Sequence, residues 1–251
     1  MTRRIHLDIE TYRTRNEQTI ARLLKHATVK NPFANALADT SKNAMYAEIL
    51  TICFKTENPD VVVIDAMEQS EKSALVQFNE AVNDFADSNT IWSAFNGKGF
   101  DFPVLLNRMV RHGVRPSDHF PSYSRYWNGR IFDSMERFPV PKLMTSFSGV
   151  CEVYGLPCKT IVWRDEPMDG SKVGEAYESG EYQIIRDYCM DDVINEERLY
   201  LAMTHNDTWG TFDNGNNDLS ALSEIANDDD MSPAHKWAAA YPILKSARLI
   251  L

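Results

Sequence analysis

Arg4-Ile5-His6-Leu7-Asp8-Ile9-Glu10 alternates apolar and polar side chains with a period of two, the signature of a β-strand. Two consequences follow. The apolar set Ile5, Leu7 and Ile9 shares one face and seeds a core, while Asp8 and Glu10, two residues apart, project together from the other. Two adjacent carboxylates with no Lys or Arg between them repel one another in a partly buried position, and a divalent cation is the usual remedy. Taken alone, the pair also reads as a solvated acidic strand end.

Downstream, residues 11–43 are polar, with Arg13 and Arg15 early and Asn31-Pro32 later, and read as a long irregular excursion before the sheet resumes. Residues 47–54 and 61–66 predict two more strands. From Glu68 to Asp87, Leu75, Phe78, Val82 and Phe85 recur in steps of three and four, which predicts a helix. Residues 91–95 predict a fourth strand and residues 103–112 a helix stopped by Gly113. The aromatic and proline-rich stretch 115–141 reads as loop around a short strand at 131–135. A helix is expected over 146–154, ended by Gly155, followed by turns and then the longest helical pattern, Glu181–Met203. Strands alternating with helices in this order predict an α/β fold with a central mixed five-stranded sheet flanked by helices.

Three further groups carry chemistry. Asn96-Gly97-Lys98-Gly99-Phe100-Asp101 follows a strand and opens a helix, so Asp101 lies near a helix N-terminus, where an aspartate also serves as a plain cap. The stretch lacks the GxxxxGK[ST] spacing of a phosphate-cradling loop. Tyr188 and Asp192 stand four apart on the long helix and share a face. Asp187 and Asp191 have the same spacing and compete with them. The Tyr188/Asp192 pair is preferred because an acid beside apolar contacts fits a site at the edge of the core.

With 251 residues and 43% hydrophobic content, the chain can bury a substantial core. No uninterrupted apolar stretch approaches the roughly 20 residues of a membrane helix, and a cytoplasmic location is the expectation. Cys53, Cys151, Cys158 and Cys189 are widely spaced and are expected to be reduced, with no zinc-site spacing among cysteines and histidines. The formal charge of -10 argues against nucleic-acid binding through a broad basic surface. It is compatible with a carboxylate-rich site whose bound cations reverse the local sign.

Leu7-Asp8-Ile9-Glu10-Thr11, Asn96-x-x-x-Phe100-Asp101 and Tyr188-x-x-x-Asp192, in that order, resemble the three exonuclease motifs of the DEDDy class of the RNase H-like superfamily. The likeness is greatest to stand-alone exonucleases related to the proofreading domain of B-family DNA polymerases. It extends through Phe100-Asp101-Phe102-Pro103-Val104-Leu105, Gly155-Leu156-Pro157-Cys158-Lys159 and Tyr188-Cys189-Met190-Asp191-Asp192-Val193, and covers most of residues 1–204. Position 187 is Asp, where the histidine branch of the class would place His.

The resemblance implies an RNase H-like fold and a 3'-5' exonuclease that uses two divalent cations, Mg²⁺ or Mn²⁺. It implies that Asp8 bridges the ions, that Glu10 and Asp192 complete the site of one, and that Asp101 supports the other. Tyr188 would orient the attacking water, since a phenol with a pKa near ~10 is a poor base at neutral pH. Thr11, Asn96 and Phe100 would contact the terminal nucleotide. The expected substrate is nucleic acid with a free 3' end, single-stranded DNA favoured, with 5'-mononucleotides as products and a replication or repair protein as a possible partner. Short RNA is the alternative substrate, and a catalytically silent module that binds a nucleic-acid end or a partner is the alternative role. Two features depart from the family: the excursion after Thr11 is longer and more basic, and the tail after His205 has no evident counterpart. That tail, 205–251, is rich in Asn, Asp and Gly and is expected to be partly flexible. Trp237, Tyr241, Leu244 and Leu249 are expected to pack its end onto the 1–204 domain as a short helix, with docking of a partner as the alternative.

Overall fold

The computed structural model describes residues 3–121, 129–138, 146–158 and 160–205. The expectations for the tail after His205 fall outside these residues. Strand β1 (Arg4–Tyr12) is central: β2 (Glu48–Lys55) runs antiparallel on one side, and β4 (Ile91–Ala94) runs parallel on the other. With β3 (Val61–Asp65) and β5 (Ile131–Asp133) the order is β3-β2-β1-β4-β5. This is the mixed five-stranded sheet predicted, and it has the architecture of an RNase H-like fold.

The alternation in β1 sorts two buried layers rather than core from solvent. Ile5, Leu7 and Ile9 pack with Leu75, Phe78 and Val82 of α3 (Glu71–Phe85) and with Val104, Leu105 and Met109 of α4 (Asp101–His112). His6, on the opposite face, is also buried and meets Tyr200 of α8 (Tyr182–His205) edge to face at 5.3 Å. The long helix α8 thus covers the polar face of β1, which turns Asp8 and Glu10 toward a helix instead of bulk water.

Helix starts and stops follow local chemistry. Ser70 caps α3 by accepting from the Ser73 N–H, and Gly113 ends α4 in the left-handed region at φ 66°. Helix α4 begins two residues earlier than its apolar run suggested, with Pro103 in the first turn, where its missing N–H costs nothing. Buried Arg108 of α4 pairs with half-buried Glu71 of α3, and Glu71 Oε1 also accepts from the Ile49 N–H at 2.8 Å. Burial alone would raise the Glu71 carboxyl, but the hydrogen bonds from Arg108, Ile49 and His112 hold it below its ordinary range.

Three readings are corrected. The excursion is not irregular: it folds into α1 (Glu17–His26), α2 (Phe33–Ala38) and a 3-10 turn at Asp39–Lys42. Asn16 caps α1, whose Ile20, Leu23 and Leu24 recur at helical spacing although none is fully buried, a signal too short to stand out in a polar stretch. The short strand ends at Asp133, whose carboxylate caps α5 (Ser134–Arg137) in place of two more strand residues. After α6 (Phe147–Val153), the turn-rich stretch contains a small hairpin, β6 (Val162–Trp163) and β7 (Glu166–Pro167), and α7 (Val173–Glu178). Elements of two residues are too short to show a period. Among the described residues, no helix is long and apolar enough to cross a membrane.

Candidate active site

The site begins on β1. Opposite Asp8 and Glu10 on β2 stand Cys53 and Thr51, both fully buried. The rotation of α8 about its axis is set here, because Cys189 and Val193, one turn apart, pack onto Cys53. Seating that stripe carries Asp192 to the acidic pair. Carboxylate oxygens of Asp8, Glu10 and Asp192 all lie within 4.8 Å of one another. Buried Tyr188 stands one turn before Asp192, with its phenol in the negative field of Glu10, Asp192 and Asp8. The competing pair points elsewhere: Asp187 accepts from Gln183 Nε2 at 2.8 Å, and Asp191 from Thr160 Oγ1 at 2.8 Å.

Asp101 arrives from the loop after β4. Asn96 is left-handed, at φ 58°. Gly97 has no room for a side chain, since a Cβ there would sit 2.6 Å from Ala94 Cβ and 2.8 Å from the Phe102 ring. Asp133 clamps this loop by accepting from the Asn96 and Lys98 N–H groups, each at 3.0 Å. The pairing of β1 with β4 ends at His6 and Ser93, and beyond it the buried Asp101 carboxylate receives the Ile9 backbone N–H. Asp101 is therefore the first residue of α4 and completes the edge of β1. It stands beside Asp8, Glu10 and Asp192 but outside the tight group of three.

The electrostatics are those of an uncompensated acidic cluster. Burial, then Glu10, Asp192 and Asp101, push the Asp8 carboxyl well above the ordinary range; the Cys189 thiol opposes this weakly. Glu10 is raised by burial, Asp192 and Asp101. Asp101 is pushed up to about 7, chiefly by burial, with Asp133 and Asp192 adding to it against hydrogen bonds from its own N–H and that of Ile9. Tyr188 is held neutral far beyond its usual range by burial and by the negative field of Glu10, Asp192 and Asp8. Crowded oxygens that resist joint ionisation suit a hard divalent cation, which converts their repulsion into ligation. Burial likewise keeps the Cys189 thiol protonated, so it serves as a donor to Asp8 rather than as a soft ligand.

The three nucleotide-contact candidates follow Glu10 on β1 or lie in the loop that leads to Asp101. The Thr11 hydroxyl donates to the Ser41 carbonyl at 2.8 Å. Phe100 precedes α4 and packs partly on the main core. Asn96 turns its side-chain oxygen toward Gly99, where a Cβ would approach it to 2.4 Å.

Sequence reasoning missed Cys189, Asp133 and Glu196. Buried Glu196, one turn beyond Asp192, accepts from Ser93 Oγ at 2.6 Å and Ser134 Oγ at 2.7 Å, and burial pushes its carboxyl up to about 8. Its spacing from Asp192 was the available signal, but helical spacing alone does not separate a buried acid from a solvated one.

A family model described as a predicted 3'-5' exonuclease related to the exonuclease domain of PolB matches residues 42–240. That range takes in Asp101, Tyr188 and Asp192, starts after Asp8 and Glu10, and runs on beyond α8. Among solved structures, the family B DNA polymerase of the hyperthermophilic archaeon Pyrobaculum calidifontis superposes with a TM-score of 0.55 at 16% identity, over 100% of this chain and 30% of the polymerase chain. This chain thus spans under a third of that polymerase's length, and the likeness is one of fold. No curated protein matches it in sequence. With the family match covering most of its length, the chain belongs to the predicted 3'-5' exonucleases related to the exonuclease domain of PolB.

Proposed function

We propose that this protein is a metal-dependent exonuclease of the tyrosine branch that removes 5'-mononucleotides from the 3' end of single-stranded DNA. One observation carries the reading: the oxygens of Asp8, Glu10 and Asp192 converge within 4.8 Å, with the Tyr188 phenol one helical turn from Asp192. Asp8, Glu10 and Asp192 would hold divalent cations, Mg²⁺ or Mn²⁺, with Asp101 in support. When bound, two such cations neutralise charge on both sides of the phosphorus and make water more acidic.

The chain's own groups do the rest. Tyr188 stays protonated at any physiological pH, so it acts by orienting water through a hydrogen bond and does not take up its proton. Asp101, fixed by the Ile9 N–H and backed by the Asp133 clamp, keeps the fourth carboxylate at a set position. Phe100, Thr11 and Asn96 would position the terminal nucleotide, and an aromatic face accepts any base.

The test is digestion of end-labelled single-stranded DNA, duplex DNA and RNA, each with Mg²⁺, Mn²⁺ or EDTA. The expected result is stepwise loss from the 3' end of single-stranded DNA, with 5'-mononucleotides formed only when metal is present. Activity that persists in EDTA, or is confined to RNA, overturns it.

A further inference from the structure

The excursion between β1 and β2 has no part in the chemistry above, yet it is built unlike the remainder of the chain. Residues 13–46 hold six Lys or Arg against two acids, in a protein of formal charge -10; Arg13 and Arg15 pair with Glu178 and Glu48, and the others face solvent without an acidic partner among the described residues. Helix α1 buries nothing, and Leu24, Val29 and Met45 of this segment are 61%, 99% and 68% exposed. Lys25, Lys30 and Lys42 have no ion-pair partner among the described residues. A cationic surface that also exposes apolar side chains matches a polyanion with apolar faces.

Its position matches too. The arm leaves β1 just past Glu10 and is pinned back beside it by the bond from Thr11 Oγ1 to the Ser41 carbonyl and by the 2.9 Å bond from the Thr14 N–H to Thr40 Oγ1. Between the returning arm and α7 lies a cavity of about 360 Å³ whose charged lining is mixed, Arg13 and Lys42 against Asp39, Glu175 and Glu178, so the free positive charge lies on the outer face of the arm rather than in the cavity. Thr11 belongs both to the strand that carries Asp8 and Glu10 and to the cavity wall.

We propose that the outer face of this arm holds the nucleotides on the 5' side of the scissile phosphate, so that the arm is the single-strand-binding surface of the enzyme. The inference rests on the nuclease reading for its substrate. Its physical basis is charge: a carboxylate-rich site on an acidic protein repels a phosphodiester chain, and a cationic surface next to it offsets that repulsion within a Debye length of about 10 Å. Phosphate contacts by Lys and Arg also release condensed counterions, which makes binding depend on salt.

The test compares wild type with a Lys25→Gln/Lys30→Gln/Lys42→Gln variant, whose altered residues are surface lysines; melting temperature and circular dichroism verify its fold. Binding of a fluorescent dodecamer of single-stranded DNA is measured in EDTA from 50 to 200 mM salt. The variant should bind at least about 10-fold more weakly at 50 mM salt, and the slope of log K against log salt should become shallower by about 2. Hydrolysis of a dinucleotide and of the dodecamer is then compared in Mn²⁺, where wild type should show a much lower KM for the longer strand and the variant should lose most of that gain. Equal affinities and equal salt slopes, or a preference of the arm for anionic lipid vesicles over DNA, overturn the inference. If wild type binds the dodecamer with the expected salt slope but hydrolyses neither strand, the catalytic reading fails instead.

Discussion

The Cys189 thiol sits 3.3 Å from Asp8 Oδ2, sealed between the sheet and α8, and donates to it. The carboxylate at the centre of the site is therefore aimed by a neighbour that is not itself a ligand. Partners of this kind are worth about 10- to 100-fold in metal affinity. Cys189→Ala should weaken Mn²⁺ binding by about 10-fold, and Cys189→Ser, which restores a donor, should recover most of the loss. Isothermal titration with Mn²⁺ checks this; equal affinity in the alanine variant contradicts it.

Asp8→Asn removes one charge from the crowded cluster and one proposed ligand. Cleavage should fall by at least about 1000-fold, while the melting temperature in EDTA should rise, because Glu10, Asp192 and Asp101 lose a repulsive neighbour. A variant that digests DNA at the wild-type rate with Mg²⁺ would remove Asp8 from the site.

Tyr188→Phe deletes the hydroxyl beside the acidic cluster and keeps the ring that packs in the core. Turnover should drop by about 10- to 100-fold with KM changed little, and the deficit should be independent of pH between 6 and 9, because the phenol does not titrate there. Steady-state kinetics across that range decides it, and a deficit that disappears at one end of the range contradicts an orienting role.

The metal-free protein should lose stability as pH rises. Asp101 is raised from 3.8 to about 7 and Glu196 from 4.5 to about 8, so the folded chain keeps protons that the unfolded chain releases. That contribution is complete below about pH 4 and is lost as pH climbs through 7 and 8. Melting temperature in EDTA should fall by roughly 5–10 °C between pH 5.5 and 8.5, and Mg²⁺ should flatten the trend. A rise over this interval in EDTA is the contrary outcome.

Arg108→Met should destabilise the fold by about 3–5 kcal/mol, because it leaves Glu71 without its principal partner between α3, α4 and β2. Urea denaturation measures this. A loss below about 1 kcal/mol would mean that His112 and the Ile49 N–H suffice.

Which acids sit on which elements was legible in the sequence, because that depends on short-range periods. Alternation in β1 placed Asp8 and Glu10 on one face, three-and-four spacing marked α3, and the glycine loop before Asp101 announced a sharp turn. The same spacing admits Asp187/Asp191 beside Tyr188/Asp192, and the preference for the second pair rests on its apolar neighbours. What brings that pair to the site is the seating of Cys189 and Val193 on Cys53, which rotates α8 so that Asp192 meets Asp8 and Glu10. That contact joins residues more than a hundred positions apart, and no window of sequence contains it. Tertiary structure likewise assigned the Asp8 donor to Cys189 and the loop clamp to Asp133, whereas the helix at 17–26 had a local signal, the Asn16 cap with Ile20, Leu23 and Leu24 at helical spacing, obscured by the polar residues around it. Local chemistry determined the parts and their order, and long-range burial decided which of them converge.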